Sequence, residues 1–205
     1  MFRFVMRTLL VAVAIGAILG EAKAEPKQES AAKVSITVHL SPYIVNLVAL
    51  TRAIYSEARG ESIEGQFGVA QSIINRARGN KSYWCGSRIA DVVHCKRGSV
   101  RQFDGITDET WDPKDKDAEN RALFVAETML SGTVSMKGPM KDADHYLNAS
   151  ETSKKRICWF KMSLVFIKKI DKHSFYRTPT PSEKKMLAKQ KLPEECKGVQ
   201  QVAGR

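Results

Sequence analysis

Glu57 is the residue best placed for acid–base chemistry, within Tyr55-Ser56-Glu57-Ala58-Arg59-Gly60-Glu61. Ile54 and Ala53 stand three and four residues before it, so a helix through this stretch sets the carboxyl beside an apolar stripe. Apolar walls favour the neutral form of a carboxyl group. A proton held that way and delivered to a leaving oxygen is what a general acid for glycosidic bond cleavage supplies. The plainer alternative pairs Glu57 with Arg52 or Arg59 at a helix end. Glu61 and Glu64 are candidates for a second carboxylate. As first-turn acids of a following helix they would instead complement its dipole.

The elements that must hold these residues are well marked. Ser41-Pro42 is a capping residue followed by a first-turn proline. Ile44, Leu47, Val48, Leu50, Ile54, Tyr55 and Ala58 then recur at helical steps, with Gly60 as the stop. Ser62 caps a second helix whose apolar stripe runs Phe67, Val69, Ala70, Ile73, Ile74 and Ala77, ended by Gly79-Asn80. A short helix is expected within 87–95, another over Asp117 to Leu130 closed by Gly132, and short strands over 143–148, 164–170 and 173–176. The rest of 81–117 reads as loop. No internal repeat or low-complexity tract is present. The pattern predicts a single α+β domain, mainly helical, over 41–177, followed by a charged tail over 178–205.

The N-terminal part reads differently. Arg3 and Arg7, an apolar run from Leu9 to Leu19 and the small-x-small triplet Ala22-Lys23-Ala24 predict a secretory signal peptide over 1–24. The apolar run is short for a membrane span, so no stable anchor is expected after cleavage. Residues 25–40 read as a flexible lead-in interrupted by a strand-like run, Val34 to Val38. Export to the periplasm, envelope or exterior makes the four cysteines candidates for disulfides. Cys85 and Cys95 are close in sequence, which favours that pair and leaves Cys158 with Cys196. A metal site of Cys85, His94 and Cys95 would lack a paired C-x-x-C, a poor zinc pattern, so neither metal nor cofactor is expected.

The chain carries 33 Lys and Arg against 22 Asp and Glu, a net charge of +11. That balance suits an anionic partner: acidic glycans of the cell wall, a membrane surface or nucleic acid. No contiguous basic face with interleaved aromatics is evident, and with the leader this argues against nucleic acid.

Several motifs occur in an order that resembles the spore-cortex-lytic type of bacterial cell-wall hydrolase. They are Arg52-Ala53-Ile54-Tyr55-Ser56-Glu57-Ala58-Arg59-Gly60-Glu61, Glu64-Gly65-Gln66, Val69-Ala70, Ile74-Asn75-Arg76, Asp91-Val92-Val93 with Gln102-Phe103, Asp144-His145-Tyr146, and Trp159 with His173-Ser174-Phe175-Tyr176. The resemblance covers about residues 47 to 177. It implies a lysozyme-like core, action on peptidoglycan glycan strands, and a catalytic acid at Glu57. It also implies cleavage by hydrolysis or by lytic transglycosylation, in which the muramic acid 6-hydroxyl attacks and no second carboxylate is needed. Hydrolysis with retention would need one about 5 Å away. The chain departs from the family pattern at Asp144, where threonine is usual, and at Lys154-Lys155-Arg156-Ile157-Cys158 before Trp159.

Other motif residues carry two readings. Gln66 and Gln102 could hydrogen-bond sugar N-acetyl groups or tie loops to backbone. Phe103 and Tyr146 could stack on sugar rings or belong to the core. His145 and His173 could transfer protons directly, but read rather as residues that order the substrate groove by bonding backbone, with His145 in the substrate-binding set; Trp159 and Tyr176 read as core. The competing function is a non-catalytic peptidoglycan-binding envelope protein that retains the fold.

Overall fold

A computed structural model describes residues 40–103, 105–106 and 113–199. The leader and the run Val34 to Val38 lie outside them. Helix α1, Pro42–Ala58, starts where Ser41 accepts from the Ile44 amide, and α2, Ile63–Gly79, where Ser62 accepts from the Gly65 amide. Asn80 ends α2 in the left-handed conformation. Gly60 does not play that part for α1. Arg59 is right-handed, Gly60 is not among the positive-φ residues, and the Glu61 amide simply closes a turn onto the Ala58 carbonyl.

Helix α3, Ile89–Val93, and α4, Lys116–Leu130, pack with α1 and α2 around one apolar core. Leu50, Ala53, Ile54, Val69, Ile73, Val92 and Val125 lie at its centre. Between α3 and α4 runs a two-residue-per-strand hairpin, β1 (Lys96–Arg97) and β2 (Val100–Arg101). Cys85–Cys95 ties the segment before α3 to the start of that hairpin.

The second half is built on a three-stranded antiparallel sheet in the order β3-β5-β4: β3 His145–Asn148, β4 Val165–Ile170 and β5 His173–Arg177. Alternate side chains of a strand leave opposite faces. Tyr146, His173 and Phe175 therefore face the helical core, while Leu147 and Tyr176 join a second cluster with Phe160 and Leu164. Phe175 meets α2 at Gly68, where an added Cβ would stand 2.6 Å from the ring. The β4–β5 turn is locked to α2 as well, because the Asp171 carboxylate accepts from the Ser62 amide at 2.8 Å and its hydroxyl at 2.6 Å.

The sequence expectations hold for α1 to α4 and for the three longer strands. Two helices were not expected. Helix α5, Lys154–Ser163, buries only Cys158 and Phe160, two positions apart, so it shows no apolar stripe. It packs against the outer face of the sheet. Trp159, expected in the core, is 43% exposed on it. Helix α6, Pro181–Leu187, begins with a complete capping box of Thr180 and Glu183 inside the segment read as a tail. Cys158–Cys196 then fastens the residues after α6 back to α5. The domain is a mainly helical α+β unit, and the fold continues past residue 177. Among the described residues no helix is long and apolar enough to cross a membrane, and no His/Cys/Asp/Glu group could hold a metal ion.

Candidate active site

Glu57 lies in the last turn of α1, half-buried, with buried Ala53, Ile54 and Ala58 beside it. The Tyr146 hydroxyl donates to Glu57 Oε2 at 3.2 Å. Burial pushes the Tyr146 phenol well above its ordinary range, and the nearby Glu57 charge raises it further. Tyr146 therefore stays protonated and remains a donor throughout neutral pH.

Arg76, in the last turn of α2, holds this arrangement from beneath. Its Nε donates to the Asp144 carbonyl at 2.7 Å and its Nη1 to Gln102 Oε1 at 3.3 Å. The guanidinium lies 5.5 Å from the Tyr146 ring centre and 5.7 Å from that of Phe103. Burial pulls Arg76 below its usual value, while Tyr146, Asp144 and Glu57 pull the other way. Asn75, its neighbour, donates to the Lys141 and Ala143 carbonyls, both at 2.7 Å. The Asn75-Arg76 pair thus stitches the segment before β3 to α2, and this stitch brings Tyr146 to Glu57. Sequence reasoning saw Asn75-Arg76 only as part of a motif. The isolated signal, a basic residue in a last helical turn, equally describes a dipole partner.

The other sequence candidates are distributed around this centre. Phe103 is 1% exposed and forms wall beneath Arg76. Gln102 is committed to protein contacts, donating to the Tyr83 carbonyl at 3.0 Å and accepting from Arg76. Gln66, also 1% exposed, donates to the Glu61 carbonyl at 3.3 Å from inside α2. Neither Phe103 nor Gln66 presents a face to a ligand here. His145 precedes Tyr146 in β3 and leaves the opposite face, toward α5 and Trp84. Its Nδ1 lies 2.6 Å from Asp144 Oδ1.

Asp144, which precedes His145 in the segment before β3, has a clear structural role. It is 8% exposed and accepts from the Thr178 amide at 2.8 Å and the Thr178 hydroxyl at 2.6 Å. Burial drives its carboxyl upward, but His145 and Thr178 more than offset this and hold it below the usual carboxylate value. The histidine responds inversely. Burial lowers His145, and the Asp144 charge only partly restores it.

Glu61 and His173 flank Tyr146 on the core side. The ring centres of Tyr146 and His173 are 5.3 Å apart. Glu61 Oε2 accepts from the Lys172 amide at 3.0 Å and lies 3.7 Å from His173 Nδ1, beyond hydrogen-bond reach. That buried ring nitrogen has no hydrogen-bond partner among the described residues. Glu64 is on the surface, paired with Lys168 at 2.8 Å.

A half-buried carboxyl, a neutral phenol donating to it and a buried cation beneath define a site suited to acid–base chemistry. Residues 60–176 of the chain match the family described as Cell Wall Hydrolase. That span is more than half of the chain, and the protein belongs to this family. No curated protein and no solved structure matches it. The protein is thus an enzyme of the cell wall, with peptidoglycan as its substrate, and it meets that substrate outside the cytoplasmic membrane. The matched span begins three residues after Glu57, so the case for this residue rests on its surroundings.

Proposed function

We propose that the protein cleaves the glycan strand of peptidoglycan, with Glu57 as general acid and then general base. The supporting observation is the Tyr146–Glu57 hydrogen bond at the end of α1. Donation into Oε2 makes Oε1 the oxygen that carries the proton when the acid is neutral. That proton passes to the glycosidic oxygen as the bond to the anomeric carbon breaks. The resulting carboxylate then takes a proton from the attacking hydroxyl. If that hydroxyl is the muramic acid 6-hydroxyl, the product is an anhydro sugar; if it is water, the product is a reducing end. Either route returns Glu57 to its acid form.

Glu61, four residues on, accepts from the Lys172 amide and is tied to the β4–β5 turn. This favours a single-carboxylate mechanism over a retaining one with a nucleophile. Residues 1–24 act as an export signal in this reading, placing the enzyme in the periplasm, envelope or exterior. In this reading Gln102 and Phe103 support Arg76, and Tyr146 orients Glu57.

The test is digestion of purified peptidoglycan by the mature protein and by Glu57→Gln, with products read by mass spectrometry. A loss of roughly 100- to 10,000-fold in the variant is expected from removal of a general acid. A product lighter by one water identifies transglycosylation. Equal release by both proteins would remove Glu57 from the mechanism. Binding of the wall without cleavage by either would favour a non-catalytic wall-binding module.

A further inference from the structure

The positive charge of the chain is not spread evenly. Residues 40–153 carry 14 Lys and Arg against 15 Asp and Glu, whereas residues 154–199 carry 13 against 4. All four acids of the second segment are already committed. Glu183 pairs with Arg177, Glu195 with Lys161 and Glu194 with Lys197, while Asp171 accepts from Ser62. The excess of lysine is therefore uncompensated within the segment, which comprises α5, β4, β5, α6 and the residues that Cys158–Cys196 fastens back to α5.

A groove of about 500 Å³ opens in this segment on the outer face of the sheet, with Lys161, Leu164, Phe166, Ser174, Tyr176 and Leu187 in its lining. That size falls among ligand clefts, about 300–1,000 Å³. Phe166 is 56% exposed and its ring centre is 5.4 Å from that of Tyr176, so an aromatic surface stands open to an apolar face. Ser174 and Tyr176 add hydroxyls. Lys161, at the end of α5, lines the groove itself. Lys169 is the partner of Ser174 across the β4–β5 ladder, and such partners share a face. Lys184 precedes Leu187 by three positions and lies on the same flank of α6. Lys169 and Lys184 are exposed, and among the described residues neither side chain has an ion pair or hydrogen bond. Lysines from three elements thus surround one aromatic, hydroxyl-bearing groove.

Peptidoglycan offers both halves of the matching chemistry. Its pyranose rings have apolar C–H faces and hydroxyl rims, and its peptide stems carry carboxylates. The cleavage centre lies elsewhere, because Tyr146 leaves the opposite face of the sheet toward Glu57. We propose that the outer groove is a second, non-catalytic wall-binding site, which takes a sugar ring against Phe166 and stem carboxylates on Lys169 and Lys184. It holds the enzyme on the wall while the Glu57 centre works on another strand. The proposal goes beyond the cleavage reading and does not depend on Glu57.

The test is retention of the protein on insoluble sacculi at rising salt, beside product release from soluble tetrasaccharide fragments too short to reach both sites. Lys169→Glu combined with Lys184→Glu should weaken retention by roughly five- to tenfold at low salt, with the loss shrinking as salt screens it. Phe166→Ala should weaken it by roughly threefold at low and high salt alike, because contact with a ring face is indifferent to charge. These variants should cleave the soluble fragments at the wild-type rate. Lys96→Glu combined with Arg97→Glu, on the β1–β2 hairpin, changes the net charge equally and should weaken retention by less than about twofold. All five positions are exposed, and matching melting temperatures would separate lost binding from lost fold.

The proposal is overturned if the groove variants are retained as well as wild type, or if the hairpin pair costs as much as the groove pair. It is also overturned if vesicles of phosphatidylglycerol and phosphatidylcholine hold the wild type more tightly than sacculi do and release the groove pair, which would assign the surface to anionic lipid. Failure of the catalytic reading looks different: no protein would release product from either substrate, while retention on sacculi would still follow the groove.

Discussion

Two carboxylate–histidine pairs stand on either side of Tyr146, and they are built to different standards. In Asp144–His145 the ring nitrogen is 2.6 Å from the carboxylate, which also accepts twice from Thr178. In Glu61–His173 the separation is 3.7 Å, and the carboxylate is spent on the Lys172 amide. The first pair joins β3 to the end of β5 and closes the chain before α6. The second sits where the β4–β5 turn meets the α1–α2 turn. Both histidines are lowered chiefly by burial, and in each a carboxylate partly offsets it, Asp144 from 2.6 Å and Glu61 from 3.7 Å. A sequence containing two acids and two histidines thus yields one strut and one loose contact. Each carboxylate accepts from a backbone amide, and the difference lies in whether the histidine nitrogen also comes within hydrogen-bond distance.

The comparison breaks most visibly at Asp144. Asp144→Ala orphans the Thr178 amide and hydroxyl and the His145 ring, and should cost about 3 kcal/mol or more, as removal of one member of a buried charged network does. Thermal and urea unfolding would read it. A cost under about 1 kcal/mol would demote the pair to the standing of its neighbour.

A smaller effect is expected in the pH dependence. His145 and His173 both have folded values below 6.5, so the unfolded chain takes up protons first as pH falls below about 6.5, and stability declines from there. The Asp144 contribution has the opposite origin. Its folded value is below 3.8, so it is fully present above that pH and is lost only as pH falls through the lower folded value. Urea midpoints between pH 8 and pH 4 should therefore fall in wild type and fall less in His173→Gln. An identical acid limb in H173Q would show that His173 is not a source of the decline.

The smallest effect belongs to Glu61→Gln. A glutamine oxygen can still accept from Lys172, while its amide can donate toward His173 Nδ1. The change should fall within about 0.5 kcal/mol of neutral. A loss of about 2 kcal/mol or more would mean that Glu61 carries charge-dependent work beyond this contact, and would reopen it as a second carboxylate.

Much of the helical half was legible because its signals are local. Ser41-Pro42 and Ser62 mark starts, and the steps from Leu50 to Ile54 and from Val69 to Ile73 mark buried faces. Helix α6 was equally local, since Thr180-Pro181-Ser182-Glu183 is a capping box, but a run of lysines and prolines obscured it. Helix α5 was not legible. With Cys158 and Phe160 as its buried residues, no stripe repeats, and it is held by a disulfide and by a cluster on the far side of the sheet.

The sequence by itself determined helices α1 to α4 and the three longer strands, the place of Glu57 beside an apolar stripe, and the family to which residues 60–176 belong. Caps, periodicity and motif spacing act over a few residues, and a chain displays them directly. Only the tertiary structure decided that Tyr146 rather than His145 reaches Glu57, that Arg76 lies against the rings of both Tyr146 and Phe103, and that Asp144 is bound to Thr178. Those contacts join residues 27 to 89 positions apart. Strand alternation and the Asn75-Arg76 stitch select them, and neither the facing of a strand nor the target of a long side chain is set until the core has packed.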